Sequence, residues 1–461
     1  MIQPTAFKTY DIRGIVETEL PIAAIYRLSQ TIAQYLRQHD SSITTIAIGR
    51  DGRVSSPAIS QQLEQGLLDA GFHVVDLGIV PTPLVYYAQY TLPVQAGIII
   101  TASHNPAAYN GLKIVLQRKT LFGAAIQALK EQYYTPIAPS TIPAGHRSKQ
   151  DIIPQYIAAL RHEFAALIGC QRPMIIDCGN GATGAVIPDL IQEMQWQHAT
   201  LRATTIDGTF PDRDPNPTIE SHTAALRAQA SMQSTMAIAF DGDGDRVVFI
   251  DERGRQLTGD TTLAIIAAAL AQRQQAITVV TDVKCSPTLQ QWLQQQTIVV
   301  VQTPCGIGFI KEAMQQHNAP VGGELSCHYC FTDRHHGYDD GIYTALRLLE
   351  LLQEQNCRLA TLVDQLPTRY TGQDLRIPCP GEHRAAIIAA ITAEYATMPD
   401  VQMTTIDGIS VTVPTGSFNL RSSNTEAVLS VRIEGATEQQ YQQLEQEILG
   451  FIAKQLRMCQ V

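Results

Sequence analysis

Six apolar runs rich in β-branched residues each end in a loop dense with polar, glycine or proline residues, and this recurrence limits the chain to few architectures. The runs cover residues 43–48, 97–100, 174–176, 237–240, 277–280 and 298–301, and segments such as 57–70, 261–274 and 341–352 lie between or after them. Those segments carry apolar residues at mixed three and four spacing, as helices with one buried face do. Strands alternating with helices imply α/β units, whose ligands collect in the loops at strand ends. From about residue 375 the pattern changes to strand runs at 409–413 and 427–433 and a helix from Thr437 onward, which predicts a smaller α+β domain. Segments 138–150 and 366–380 read as connectors, and 207–217, with three prolines, as a long loop.

At 461 residues the chain is long enough for roughly three or four domains. Lys and Arg total 33 against 43 Asp and Glu, a net charge of −10, which argues against a general nucleic-acid or anionic-membrane surface. An anionic ligand must therefore meet a local basic pocket. Residues 1–8 show no secretory signal, and no apolar stretch approaches membrane-spanning length. Nine scattered cysteines in such a chain predict reduced thiols and a cytoplasmic location. Cys327 and Cys330 make a C-x-x-C pair followed by His335 and His336, but no second ligand pair accompanies them for zinc, and 328–332 reads as a strand, which would turn the two thiols to opposite faces.

Asp241-Gly242-Asp243-Gly244-Asp245-Arg246 interrupts two apolar runs, 236–240 and 247–250, with three carboxylates, two glycines and a guanidinium. Hard oxygen ligands on a backbone free to fold tightly suit Mg²⁺, and Arg246 would face any anion that the cation attracts. Asp241, Asp243, Asp245 and Glu252 also fall at calcium-loop positions of an EF-hand, yet Arg246 stands where that loop needs glycine, and the flanks read as strands rather than helices. A solvated acidic turn is the bland alternative.

Gly179-Asn180-Gly181-Ala182-Thr183-Gly184 mimics a dinucleotide fingerprint, but only Asp207, inside the proline-rich loop, lies where a ribose-binding acid is required, so a tight strand-to-helix turn is expected. In Thr101-Ala102-Ser103-His104-Asn105-Pro106 a serine follows an apolar strand in a loop that leaves its hydroxyl exposed, as a nucleophile or phosphate carrier requires. Asn110-Gly111 predicts a chain reversal, after which residues 112–115 return as a strand and bring Lys113 beside Ser103. Glu324, Ser326 and His328 alternate after another apolar run, which places carboxylate, hydroxyl and imidazole on one face of an extended segment fit for sugar hydroxyls. Arg421, Ser423, Asn424 and Thr425 form a polar loop between two strand runs, suited to a phosphate dianion or simply to water.

Taken with Phe7-Lys8-Thr9-Tyr10-Asp11-Ile12-Arg13-Gly14, these loops stand in the order found in the α-D-phosphohexomutases, and the chain resembles that family nearly end to end, most of all its bacterial phosphomannomutase/phosphoglucomutase group. The resemblance implies an α/β fold of four domains around a central cleft: three similar α/β units with mixed sheets, at 1–147, 148–250 and 251–366, and a smaller α+β phosphate-binding domain at 367–461. It implies that Ser103 is a phosphoserine and that Asp241, Asp243 and Asp245 bind Mg²⁺ together with a Ser103 phosphate oxygen. Lys113 and His328 match general acid and base positions, and Arg13 and Arg246 match residues that balance negative charge; Lys113 would help move the hydroxyl proton if neighbouring positive charge lowers its pKa. Glu324 and Ser326 match residues that grip sugar hydroxyls, and Arg421, Ser423, Asn424 and Thr425 those that hold the non-reacting phosphate; Tyr10 and Lys284 are further contacts.

The activity so implied moves phosphate between the 6- and 1-positions of mannose and glucose phosphates, through a hexose 1,6-bisphosphate, with glucose 1,6-bisphosphate as activator. A monomer supplying sugar 1-phosphates for nucleotide-sugar biosynthesis is expected, without nucleic-acid or membrane partners. Leu325 and Cys327 stand where relatives commonly carry methionine and glycine, and Ile307 replaces a polar side chain of some relatives. Phosphoglucosamine mutase is the neighbouring reading, against which Leu325 argues, and a serine-phosphoenzyme sugar phosphatase or a silent sugar-phosphate binding protein are the readings from other classes.

Overall fold

All five positions of the strand Ala96–Ile100 are buried, as a central strand covered on both faces must be. In this computed structural model, which describes residues 1–137, 142–274, 276–372, 374–423 and 427–459, that strand sits inside a mixed sheet. The order is Ile12–Ile15, Tyr109–Leu116, Ala96–Ile100, Thr45–Arg50, His73–Ile79 and Arg147–Lys149, with Lys119–Thr120 beside Tyr109–Leu116. The pairs on either side of Tyr109–Leu116 are antiparallel and the others parallel. Helices Ile25–His39, Ser56–Asp69 and Ala124–Tyr133 close one core with Ile46, Ile48, Ile98, Ile100 and Ile114.

The chain divides into two units. The first comprises residues 1–258, 326–330 and 335–360, and the second 259–325, 331–334 and 361–461. Besides the sheet above, the first unit holds Val247–Ile250, Met236–Phe240, Met174–Asp177 and Ala199–Arg202 in that order, the first pair antiparallel. Both chemically rich loops of this unit follow strands buried at every position, Ala96–Ile100 and Met236–Phe240.

The second unit contains a parallel set, Val299–Thr303, Thr278–Asp282 and Val321–Gly323. It also contains an antiparallel sheet of Tyr370–Thr371, Val428–Gly435, Gly416–Ser422, Ile409–Val413 and Gln402–Thr404, with Leu375–Pro378 also on Val428–Gly435. Helices Gly381–Tyr395 and Glu438–Cys459 supply Ile387, Ile391, Leu444 and Ile448 to the core over this sheet. Among the described residues no helix is long and apolar enough to cross a membrane.

Three expectations need correction. Asn110-Gly111 makes no chain reversal but lies within Tyr109–Leu116. Asn110 donates its amide to the Ser55 and Ser56 hydroxyls at 2.8 and 3.0 Å, and a Cβ on Gly111 would meet the Ile12 carbonyl at 2.3 Å, so the glycine serves close strand approach rather than a turn. The two supposed connectors also hold short strands: Arg147–Lys149 extends the first sheet, and Tyr370–Thr371 and Leu375–Pro378 pair with Val428–Gly435. All three strands are four residues or shorter, and Arg147–Lys149 is wholly polar, so they offer too little pattern for a strand to be read.

Candidate active site

Ser103 adopts the left-handed backbone conformation, φ 52°, which is costly outside glycine and persists only where neighbours enforce it. Its N–H donates to the Thr101 hydroxyl at 2.7 Å, and its own hydroxyl donates to Asp241 Oδ2 at 2.8 Å. The residue is 1% exposed, which corrects the expected exposed hydroxyl: the strained turn points Oγ inward at the carboxylates. His104 Nδ1 lies 3.3 Å from Oγ. Burial, and then the cations Arg246 and Arg13, push this imidazole well below its ordinary pKa.

The serine loop is held by Arg53, which the sequence reading passed over. Its buried guanidinium donates to four loop carbonyls: Pro106 at 2.7 Å, Tyr109 at 3.0 Å, Ser103 at 2.8 Å and Asn105 at 2.5 Å. Asp51 takes Nε at 3.0 Å. An arginine two residues after an aspartate, just past a buried strand, is the signal by which it was findable.

Asp241, Asp243 and Asp245 follow Met236–Phe240, and the turn bends at Gly244, φ 74°. Asp241 Oδ1 accepts from the Gly244 and Arg246 N–H groups at 2.9 and 3.2 Å. Asp243 Oδ2 accepts from the Thr82 hydroxyl at 2.6 Å, and the Asp243 carbonyl from the Thr82 N–H at 2.8 Å. A Cβ on Gly242 would lie 2.5 Å from the Ser103 carbonyl, so the two loops touch where only glycine fits. The three carboxylates offer oxygens within 4.8 Å of one another. Asp243 Oδ1 and Asp245 Oδ1 are buried without a hydrogen-bond partner, an arrangement that fits a hard divalent cation. Burial and the charges of Asp243 and Asp245 raise the Asp241 carboxyl well above its ordinary range, a penalty that a cation removes. The EF-hand alternative fails, since strands flank the loop and Glu252 is spent on the Leu359 and Ala360 N–H groups at 3.1 and 2.8 Å.

Positive groups surround the triad. Lys113, opposite Ile99 in the strand register, donates to Asp243 Oδ2 at 2.8 Å and to Asp245 Oδ2. Its pKa lies well above the ordinary value, because burial, which lowers it, is outweighed by those two carboxylates, so the neighbouring charge raises rather than lowers it. Arg13 reaches Asn105 Oδ1 at 2.7 Å and Asp11 at 2.5 Å. Arg246 donates through Nε to His328 Nε2 at 2.8 Å, and His328 Nδ1 faces Asp339 Oδ2 at 3.0 Å. The structure thus brings Arg13, Ser103, Lys113, Asp241, Asp243, Asp245, Arg246 and His328 together within the first unit.

Residues 324–328 are not extended as expected. Leu325 and Ser326 form a turn and Cys327 takes φ 69°, so strand alternation does not describe this stretch. Cys327 and Cys330 form no disulfide, and among the described residues no grouping of three metal-ligating side chains includes either. Residues 179–184 make the expected tight turn, entered through Gly179 and Asn180 at φ 54° and 56°.

In the second unit, Glu324 Oε1 accepts the Gly306 N–H at 2.6 Å. Burial and Glu324 push Asp282 up to about 6. Lys284 pairs with Asp374 at 2.6 Å, and Arg421 with Asp407 at 2.8 Å, where the Cys305 N–H also donates at 3.1 Å. Ser423 is buried and its N–H donates to the Val428 carbonyl at 3.0 Å. Asn424 and Thr425 lie outside the described residues. Tyr10 and Ser326, both half-buried, belong to the first unit.

Four family models match in succession: phosphoglucomutase/phosphomannomutase alpha/beta/alpha domains I, II and III at residues 4–135, 154–254 and 258–370, and the C-terminal domain at 375–450. The chain is 34% identical to a phosphomannomutase/phosphoglucomutase of Pseudomonas syringae pv. tomato, over 96% of this chain and 94% of that one. It is 32% identical to a phosphoglucomutase of Neisseria meningitidis serogroup A, over 97% and 96%. The crystal structure of a phosphoglucomutase/phosphomannomutase family protein from Burkholderia thailandensis superposes with a TM-score of 0.89 at 28% identity, covering 99% of this chain and 98% of that one.

Proposed function

The chain belongs to the phosphoglucomutase/phosphomannomutase family, and on that premise we propose that it interconverts the 6- and 1-phosphates of mannose and glucose. Ser103 carries the phosphoryl group, passes it to the free hydroxyl of a hexose monophosphate, and recovers the other phosphate from the resulting 1,6-bisphosphate. The observation that carries this reading is the Ser103 hydroxyl, 2.8 Å from Asp241 beside two buried carboxylate oxygens without partners.

Asp241, Asp243 and Asp245, with a Ser103 phosphate oxygen, would hold Mg²⁺. When bound, the ion neutralises charge on the transferring phosphoryl oxygens. Arg13 and Arg246 add fixed positive charge near the transferring group, where phosphoryl transfer is most strongly helped. In this reading Lys113 and His328 share the general acid and base work on the hydroxyl proton. Glu324 and Ser326 bind the sugar hydroxyls, Tyr10 and Lys284 make further substrate contacts, and Arg421, Ser423, Asn424 and Thr425 bind the phosphate that does not react. Boundaries at 147, 250 and 366 separate four domains; four successive family matches support the number and order of the domains. The enzyme works as a cytoplasmic monomer activated by glucose 1,6-bisphosphate and binds no nucleic acid.

Mannose, glucose and glucosamine 6-phosphates, offered side by side with Mg²⁺ and glucose 1,6-bisphosphate and followed by ³¹P NMR, test the assignment. Formation of mannose and glucose 1-phosphates is expected. A clear preference for glucosamine 6-phosphate, or net release of inorganic phosphate, overturns it.

A further inference from the structure

The His328 ring is held between two groups of fixed character. Arginine only donates, so the Arg246 Nε contact at 2.8 Å makes His328 Nε2 an acceptor; an ionised carboxylate only accepts, so the Asp339 Oδ2 contact at 3.0 Å calls for a proton on Nδ1. In its neutral form the ring therefore has one tautomer in this setting. A second acceptor lies nearby: Asp245 Oδ1 is 3.6 Å from the same Nδ1 and is one of the two buried carboxylate oxygens without a hydrogen-bond partner. Asp339 thus takes the proton that would otherwise fall to a carboxylate of the acidic triad.

Beyond the ring, Arg246 Nε lies 3.8 Å from Asp241 Oδ2, the atom that accepts the Ser103 hydroxyl. The backbone reinforces the line, since Arg246 and His328 form an antiparallel bridge and the Val247 N–H donates to the Cys327 carbonyl at 3.2 Å. Asp339 itself is 1% exposed and bridges through the Asp339–Cys330 pairing, so it is anchored independently of the ring.

We propose that Asp339 is a positioning residue: it fixes the orientation and tautomer of His328, so that His328 Nε2 steers the Arg246 guanidinium toward the Ser103–Asp241 contact and Asp245 Oδ1 stays available to a cation. This deepens the functional reading above and rests on it only for its kinetic consequence. The arrangement of carboxylate, imidazole and guanidinium acts as a partner behind a partner, which is how outer groups commonly orient those that meet the reacting atoms.

The test uses the full chain labelled with ¹⁵N-histidine, the His328 signal among the twelve histidines being identified by its loss in His328→Gln. The metal-free wild type is expected to show the Nδ1–H tautomer without substrate, and Asp339→Ala to shift or broaden that signal. Asp339→Ala should lower kcat by about 10- to 100-fold with KM changed much less, and should weaken Mn²⁺ binding, read by calorimetry, by a similar factor. Asp339→Asn keeps an oxygen acceptor and the side-chain volume, and should retain the tautomer and most of kcat. In the His328→Gln background, Asp339→Ala should cost little more, because the two act as one unit.

An Nε2–H tautomer in the wild type, an unchanged His328 signal in Asp339→Ala, or an undiminished loss in the His328→Gln background overturns the proposal. Should Asp339→Ala fail to fold, the wild-type tautomer and Asp339→Asn still decide it. A chain with the predicted tautomer but no mutase turnover would overturn the functional reading and leave the geometry of Asp339 standing.

Discussion

Around Ser103 three buried carboxylates cluster, two of them paired with Lys113, and two of their oxygens have no hydrogen-bond partner. In the second unit the cations are matched instead with carboxylates of that unit: Lys284 with Asp374, Arg421 with Asp407, and Arg432 with Asp260 at 3.0 Å. The first region carries a surplus of buried negative charge and so demands a cation. The second is neutralised within itself, and an incoming anion must compete with a carboxylate already in place. The contrast separates two ways of preparing for a phosphorylated ligand: an unfilled electrostatic need at the reacting end, and a guarded positive charge elsewhere.

Removing the serine hydroxyl breaks the comparison most severely. If Ser103 carries the phosphoryl group as proposed, Ser103→Ala should reduce turnover by at least about 10⁴-fold while leaving the thermal transition nearly unchanged. Steady-state kinetics and calorimetry read both, and residual activity near wild type would show that the serine is a bystander.

Next comes Asp241→Asn, which should lower turnover by at least about 100-fold and weaken Mg²⁺ binding. The same change should raise the melting temperature of the metal-free protein, since the wild-type carboxylate is penalised by burial and by its acidic neighbours. A lowered metal-free melting temperature would contradict the picture of excess negative charge.

Substitutions in the guarded region should act on binding. Arg421→Gln is expected to raise KM about tenfold or more with a smaller effect on kcat, whereas Asp407→Asn should lower KM by releasing Arg421 from competition. An Asp407→Asn variant with raised KM would mean that this carboxylate orients the arginine rather than screening it.

The smallest effect sharpens the comparison away from the site. Asp340 caps the helix Gly341–Glu354, accepts the Tyr156 hydroxyl at 2.7 Å, and is pushed up to about 7 by burial. Its folded-state pKa lies above the unfolded value, so its stabilising contribution is full below about pH 4 and is lost as pH rises through about 7. Denaturant titrations of wild type and Asp340→Asn across this window should converge or cross, and a constant difference would refute the assignment.

The acidic triad was legible because its ligands lie within five consecutive residues, and the serine loop because an apolar strand leads into it. The order of strands and helices was legible for the same local reason. What escaped depends on register between distant segments: Arg53 beneath the serine loop, Thr82 on Asp243, and Asp339 behind His328 are separated in sequence from the groups that they hold. Asn110-Gly111 misled because asparagine–glycine is a strong turn signal locally, while sheet packing used the missing Cβ for another purpose. The burial of Ser103 escaped because a loop's polarity does not reveal which way a left-handed residue turns its side chain.

At position 242 a methyl group would collide with the Ser103 carbonyl 2.5 Å away, and the Asp243 main chain grips Thr82 through a further hydrogen bond. Loops from the segments matched as domains I and II are therefore fitted to each other atom against atom, which has a bearing on recombination. Hybrid genes that join the N-terminal module of one homologue to the second module of another should yield working catalysts only when both loop sequences come from the same parent, however well the parents' cores agree.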